Sequence, residues 1–265
     1  MATRTARSLR HEYELYLEQE IENYKESIPR AAILAIGDEA AAKLASEAQF
    51  TLTELLLCEE VDRIIFRRLR LPAYNTWRRK RVKMHEEMRR PEHWGMSASD
   101  ALVRTIGESR PEHGASHVLI AGMSAERSAL FFAANGCDVT AIESEEEPIR
   151  RVLEAAIQAG LAERVHAVAG ELAHWTPEAP LRAVVCSHAA LNALAPRERA
   201  RVIAVLQGAT SDGGVHLVET IAAGSNAIDE LRARYSGWEI SVESEHGEAQ
   251  VFLARKESGE SRVSH

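Results

Sequence analysis

The stretch VLIAGMSAERSALFFAANGCDVTAIE, Val118 to Glu143, decides the fold. A short apolar run comes first, a glycine follows it, and a helical pattern then leads into a second apolar run that ends on an acid. This order is typical of a strand, a turn, a helix and a second, parallel strand. The loop after the first strand and the acid after the second then lie at the same edge of a sheet. The stretch therefore predicts the first half of a nucleotide-binding βαβ unit.

Short runs rich in β-branched and apolar residues continue this pattern. They are HVLIAG, DVTAIE, RVHAVAG, LRAVVCSH, GGVHLVET, EISVESE and AQVFLARK. Helical stretches separate the first five, which predicts parallel strands covered on both faces. Only HGE separates the last two, so they form a hairpin with one strand antiparallel to the rest. The expected fold class is α/β, with a seven-stranded, mostly parallel, doubly wound sheet that ends in an antiparallel hairpin.

The first 110 residues have a different pattern, with apolar residues spaced by three and four. In the first helix these are Leu9, Tyr13, Leu17, Ile21, Tyr24 and Ile28. We expect an all-α domain over residues 1–110, with a break at Gly37-Asp38 in its alanine-rich second helix. GESRPEHGAS, residues 107–116, has the composition of a linker to the sheet domain, residues 117–256. The remaining residues, 257–265, are expected to form a mobile tail.

The loop after the first strand has one glycine, Gly122, where a dinucleotide fingerprint needs three. NAD and FAD are therefore not expected, and no phosphate loop is present in the sequence. Glu143 follows Gly122 by about 20 residues, the spacing at which an acid accepts hydrogen bonds from ribose hydroxyls. The alternative is an ordinary strand-end acid on a solvated loop.

Residues 117–256 resemble the class I S-adenosylmethionine-dependent methyltransferases. The resemblance rests on the strand order, the acid after the second strand and VAGEL after the third. The segments ERSALFFAANGCDVTAIE, ELRARYSGWEISVESE and LARK are most similar to the tellurite-resistance type. The resemblance implies S-adenosylmethionine as cofactor and a methyl acceptor that the sequence does not name.

The resemblance to these methyltransferases also implies roles for individual residues. Gly122 matches the first loop glycine and Glu143 the ribose acid, while Gly170-Glu171 match the segment that meets the adenine amino group. Ser187 lies at the end of the fourth strand, where substrate meets the methyl group. His188 is a candidate to take a proton from the acceptor. The favoured alternative is a strand-end histidine that faces solvent or packs on the next helix.

Three positions depart from the family pattern. The acidic position of the first strand falls on Ile120, and the second and third loop glycines fall on Ser124 and Glu126. A serine adds a Cβ where backbone and ligand approach each other closely. The Glu126 carboxylate would oppose the carboxylate of the cofactor, receive its ammonium group, or pair with Arg127. These departures leave open a non-catalytic protein that uses the methyltransferase fold for interaction or assembly.

A basic segment calls for its own explanation. Residues 11–62 carry 3 basic and 13 acidic side chains, whereas residues 63–90 carry 11 basic and 2 acidic ones. Tyr74 and Trp77 lie among the basic residues, a pattern that can bind nucleic acid. The favoured alternative is that the segment pairs with the acidic stretch, in its own chain or through self-association, and that the aromatic residues belong to the helical core.

The amino-acid composition further narrows the class of protein. There are 40 acidic and 32 basic residues, which gives a net charge of -8. The three cysteines are far apart, which favours no disulfide framework and no metal site, and the histidines do not group. No apolar run approaches the ~20 residues that a membrane span needs, so a cytoplasmic protein is expected.

Overall fold

The computed structural model describes residues 8–46, 54–109, 116–122, 125–222, 226–244 and 249–257. By its contacts the chain divides into two compact units, Met1–Met84 and His85–His265. Within the described residues, no helix is both long and apolar enough to cross a membrane.

The first unit is helical. It contains α1 (Leu9–Ser27), α2 (Arg30–Ser46), α3 (Glu54–Leu69) and most of α4 (Tyr74–Met88). The side chain of Ser8 caps α1 by accepting a hydrogen bond from the backbone N–H of His11 at 3.2 Å. The buried core of this unit consists of Ile21, Ile36, Ala40, Ile64 and Ile65.

The predicted break at Gly37-Asp38 is wrong, because α2 runs through it. Ile36 and Ala40 flank the pair one helical turn apart, and both are fully buried. A glycine inside a helix costs about 1 kcal/mol relative to alanine. Burial of two apolar side chains on one face of α2 offsets that cost, so packing overrides the local preference.

Tyr74 and Trp77 pack against α1. Their rings lie 5.4 Å from the ring of Tyr13, centroid to centroid, and Trp77 also stacks on Tyr16 at 6.0 Å. The Tyr13 hydroxyl donates to the carbonyl of Pro72 at 2.9 Å. Tyr74 and Trp77 of the basic segment are therefore engaged within the helical unit.

The second unit begins at His85, in the last turn of α4, which is followed by a 3₁₀ turn, Pro91–Trp94. It contains a sheet with helices on both faces. The helices are α5 (Ala101–Ser109), α6 (Ala125–Ala134), α7 (Glu146–Ala159), α8 (His188–Asn192), α9 (Pro196–Ala209) and α10 (Ala227–Arg234). The strands are β1 (His117–Ala121), β2 (Asp138–Glu143), β3 (Val165–Ala169), β4 (Leu181–Ser187), β5 (Thr210–Ala222), β6 (Trp238–Ser244) and β7 (Ala249–Lys256). All seven predicted strands are thus present.

The strands form one sheet in the order β3-β2-β1-β4-β5-β7-β6. β7 is antiparallel to both of its neighbours, and the other pairs are parallel. This arrangement confirms the predicted fold class. One core lies between the sheet and helices α5, α6 and α7, and a second lies between the sheet and helices α8, α9 and α10.

Two features differ from what the sequence pattern indicates. Ala101 and Leu102 of α5 are buried in the first core, so this helix packs with the sheet although its sequence position lies before residue 110. The linker expected at residues 107–116 and the tail after residue 257 fall largely outside the described residues.

Between β3 and β4 the chain forms only a 3₁₀ turn, Leu172–His174, where a helix was expected. Pro177 and Pro180 follow that turn and prevent its extension into a helix.

Candidate cofactor-binding site

The register of the parallel strands places the sequence-predicted residues in one row. Ala121 of β1 is aligned with Ile142 of β2 and with Cys186 of β4. The residues that come next along these three strands are Glu143, Gly122 and Ser187. They form a row at the carboxyl edge of the sheet, at the point where the strand order reverses between β1 and β4. In open α/β sheets this edge is where ligands bind.

Gly122 is required by its surroundings. Its φ angle is +105°, a conformation that favours glycine, and a Cβ at this position would lie 2.0 Å from the Ser187 Oγ. The backbone after β1 therefore lies directly against the start of α8. The single glycine that remains in this loop occupies the position where no other residue fits.

Glu143 carries a buried polar atom that lacks a partner. Its Oε1 has no hydrogen bond to any of the residues that the structure describes. Burial raises the pKa of the Glu143 carboxyl, the charge of Glu145 adds to the rise, and a hydrogen bond from the backbone N–H of Gly122 opposes it. A buried acceptor without a donor is unfavourable in the folded protein. A ligand hydroxyl group would supply the missing donor.

The loop after β3 lies next to Glu143, at one end of the row. The backbone N–H of Gly170 donates to the carbonyl of Glu143 at 2.8 Å, which ties this loop to the end of β2. Glu171 is exposed, and its carboxylate lies 3.3 Å from the Nδ1 of His174. The Glu171 carboxylate is thus accessible beside the row.

Ser187 and His188 point in different directions. The buried Ser187 hydroxyl accepts a hydrogen bond from the backbone N–H of Ala190 at 3.1 Å and caps α8. The His188 Nε2 lies 3.0 Å from the amide nitrogen of Asn192. His188 and Asn192 line a pocket between α8, α9 and α10, together with Arg199 and Glu230.

The surroundings of His188 shift the pKa of its imidazole. Burial lowers the pKa of the imidazole, the nearby Arg199 guanidinium lowers it further, and Glu230 opposes them. Residues two positions apart on a helix point in nearly opposite directions. Since Ala190 is the α8 residue that faces Gly122, His188 lies on the other side of α8. The structure brings Glu143, Gly122 and Ser187 together, and it places His188 in a separate pocket.

The sequence predicts two further site residues after β1, Ser124 and Glu126. Ser124 is outside the described residues. Glu126 is exposed in the first turn of α6, where the helix dipole favours an acidic side chain.

Sequence reasoning missed Glu219. It lies opposite Ser187 in the register of β4 and β5, and only 8% of it is exposed. Burial raises the pKa of the neighbouring Cys186 thiol to about 12, and the charge of Glu219 contributes to the rise. One feature of the sequence could have identified Glu219, namely its place as an acid inside the apolar run VHLVETIA. Acidic side chains are rarely buried in a strand.

No protein-family model matches the chain, and no curated protein matches it. Solved structures of class I S-adenosylmethionine-dependent methyltransferases are similar in fold. TehB from Haemophilus influenzae has 18% identity and a TM-score of 0.45, over 54% of this chain and 58% of TehB. A TehB-like methyltransferase from Corynebacterium glutamicum has 18% identity and a TM-score of 0.47, over 62% and 90%.

The glycopeptide N-methyltransferase MtfA, solved with S-adenosyl-L-homocysteine, has 14% identity and a TM-score of 0.48. The match covers 61% of this chain and 91% of MtfA. The matched part thus spans less than two thirds of TehB and most of MtfA.

Proposed function

We propose that this protein is an S-adenosylmethionine-dependent methyltransferase. The observation that carries the proposal is the unpartnered, buried Oε1 of Glu143 beside the positive-φ Gly122, at the point where the strand order reverses. Bound S-adenosylmethionine supplies a methyl group on a positively charged sulfur, which is already an activated donor. The protein then has mainly to bind, to orient and to exclude water.

Each residue of the row, and Glu171 beside it, has a task in this proposal. Glu143 accepts hydrogen bonds from the ribose hydroxyls, and Gly122 lets the backbone approach the ligand without a side chain between them. Glu171 is accessible to the amino group of the adenine. Ser187 lies on the β4 side of Gly122, where the methyl acceptor would approach.

The departures from the family pattern do not prevent this arrangement. Glu126 is exposed on α6, so water screens its charge. The proton that the acceptor loses on methylation is not assigned to His188, because His188 lines a separate pocket.

Thermal-shift measurements with S-adenosylhomocysteine test the proposal. We expect the ligand to raise the melting temperature of the wild type, and Glu143→Ala to weaken binding by about 1.5–3 kcal/mol, the scale for losing hydrogen bonds to a charged group. Glu146→Ala is the matched control, since it removes a nearby exposed acid that is not in the row and does not act on the pKa of Glu143. Equal loss in both variants would show that general charge, and not the Glu143 acceptor, governs binding.

A further inference from the structure

The first helix of the helical unit has an acidic face that the rest of the unit neutralises only in part. α1 carries six acidic side chains and two basic ones. Because residues three and four positions apart share one side of a helix, three of these acids lie together with an apolar residue. They are Glu18, Glu22 and Glu26, with Leu15, and all four are exposed. Glu22 pairs with Lys25 of the same helix at 2.7 Å, whereas Glu18 and Glu26 have no ion pair among the described residues.

The fourth helix has a face of the opposite charge. α4 carries five basic and two acidic side chains, and the two acids, Glu86 and Glu87, come after the basic part. Arg78 and Arg79 lie one turn before Val82, so the three side chains share one side of the helix. All three are exposed, and neither guanidinium pairs with a carboxylate of the described residues. Leu15 on α1 and Val82 on α4 are each 37% exposed, so each charged face includes an apolar side chain in contact with solvent.

The two faces belong to helices that pack against each other. The ring of Trp77 lies against that of Tyr13, and Arg81 pairs with Glu12 at 3.2 Å, so acidic and basic side chains of α1 and α4 already fit together within one chain. A nucleic acid or an anionic membrane would be attracted by α4 and repelled by the neighbouring α1. A second copy of this chain carries both faces in equal number and can satisfy both at once.

We propose that two copies of this protein associate through α1 and α4, with the acidic face of each α1 against the basic face of α4 in the other copy. A two-fold axis produces both contacts together, since the same surface is used on both copies. Leu15 and Val82 then lose their contact with water inside a charged rim, which is the usual arrangement of a protein interface. The dimer does not depend on cofactor binding.

Sedimentation analysis of the full chain tests the dimer. We expect dimers at about 100 µM protein in about 50 mM salt, and a dissociation constant that rises about tenfold or more in about 500 mM salt, because salt screens exposed charges. The double variant Arg78→Glu, Arg79→Glu should weaken the wild-type dimer by a similar factor. The double variant Arg150→Glu, Arg151→Glu is the matched control, since it changes the net charge equally on an exposed side of α7 in the second unit. We expect it to change the dissociation constant by less than about twofold.

A charge exchange between the two faces tests their pairing. In Glu18→Lys, Glu26→Lys both faces are basic, and in Arg78→Glu, Arg79→Glu both are acidic, so each variant alone should be monomeric. An equal mixture of the two should form dimers again, because each reversed face then meets its opposite charge in the other chain. Recovery in the mixture alone is the expected result. A monomeric wild type, variants that dimerise like the wild type, a control as weak as the α4 variant, a mixture that stays monomeric, or assembly beyond the dimer would each overturn the proposal.

Discussion

Glu143 combines a cost to folding with a proposed use in binding. The side chain is half-buried near Glu145, and its one buried carboxylate oxygen, Oε1, has no partner among the described residues. Its position at the end of β2 follows from the apolar run DVTAIE, so the sequence alone identifies it. Its unsatisfied oxygen does not follow from the sequence, because it depends on how the ends of β1, β2 and β3 enclose the side chain.

The raised pKa of Glu143 makes stability depend on pH. The folded protein holds this proton to higher pH than the unfolded chain, whose carboxyl titrates near 4.5. The contribution is therefore fully present below that pKa and is lost as pH rises through the folded value. We expect Glu143→Gln to melt at a higher temperature than the wild type at about pH 7, and the two to converge at about pH 4. A melting-temperature difference that does not change with pH would contradict this assignment.

At the scale of the elements, the strands were predictable and their irregularities were not. Each strand is a run of β-branched and apolar residues bounded by turn residues, so its existence depends on local pattern. The bulge at Thr220 and the short connection after β3 depend on neighbouring strands and on prolines. The position of Glu219 opposite Ser187 was missed, since it follows from the register between β4 and β5.

The C-terminal end of α3 offers a test of backbone strain. Arg70 has a φ angle of +52°, and the N–H of Leu71 donates to the carbonyl of Phe66 at 3.2 Å, as in a Schellman motif. We expect Arg70→Gly to raise the free energy of unfolding by about 1 kcal/mol, because glycine adopts this conformation without a steric cost. Gly160→Ala at the C-cap of α7, where φ is +68°, is the reverse change. It should lower the free energy of unfolding by a similar amount in urea titrations, and a stabilising effect there would contradict the strain argument.

At the scale of the whole molecule, the separated charges meet within the helical unit. Arg81 of α4 pairs with Glu12 of α1 at 3.2 Å, and Arg68 of α3 pairs with Glu39 of α2. The buried Glu60 pairs with Lys43, Arg63 and Arg67, and the hydrogen bond from Lys43 is the main reason that its pKa is lowered. Charge counts along the sequence indicated such pairing but not the partners, which depend on how the helices pack.

Reversing the charge of Arg81 tests its pairing with Glu12. Arg81→Glu places two carboxylates together at a partly buried position, so we expect the free energy of unfolding to fall by about 1–2 kcal/mol. Lys80→Glu on the exposed face of α4 is the control and should stay within about 0.5 kcal/mol of the wild type. Equal effects in the two variants would show that the Arg81–Glu12 pair contributes nothing to the stability of this unit.

The basic segment, residues 63–90, allows a test for nucleic-acid binding. We expect no RNA or DNA binding at micromolar protein, because the aromatic residues pack on α1 and several of the basic residues are paired. Binding that falls steeply as salt is raised, and that the triple change of Arg78, Arg79 and Arg81 to Glu abolishes, would make nucleic acid a partner through residues 63–90.

The central proposal concerns the row at the carboxyl edge of the sheet, and calorimetric titration of the wild type with S-adenosylhomocysteine tests it most directly. We expect one site per chain, and a dissociation constant that rises about 10–150-fold in Glu143→Ala, as a loss of about 1.5–3 kcal/mol requires. The absence of both heat and thermal stabilisation at about 1 mM ligand would contradict the proposal. The protein would then be a methyltransferase fold that serves interaction or assembly without the cofactor.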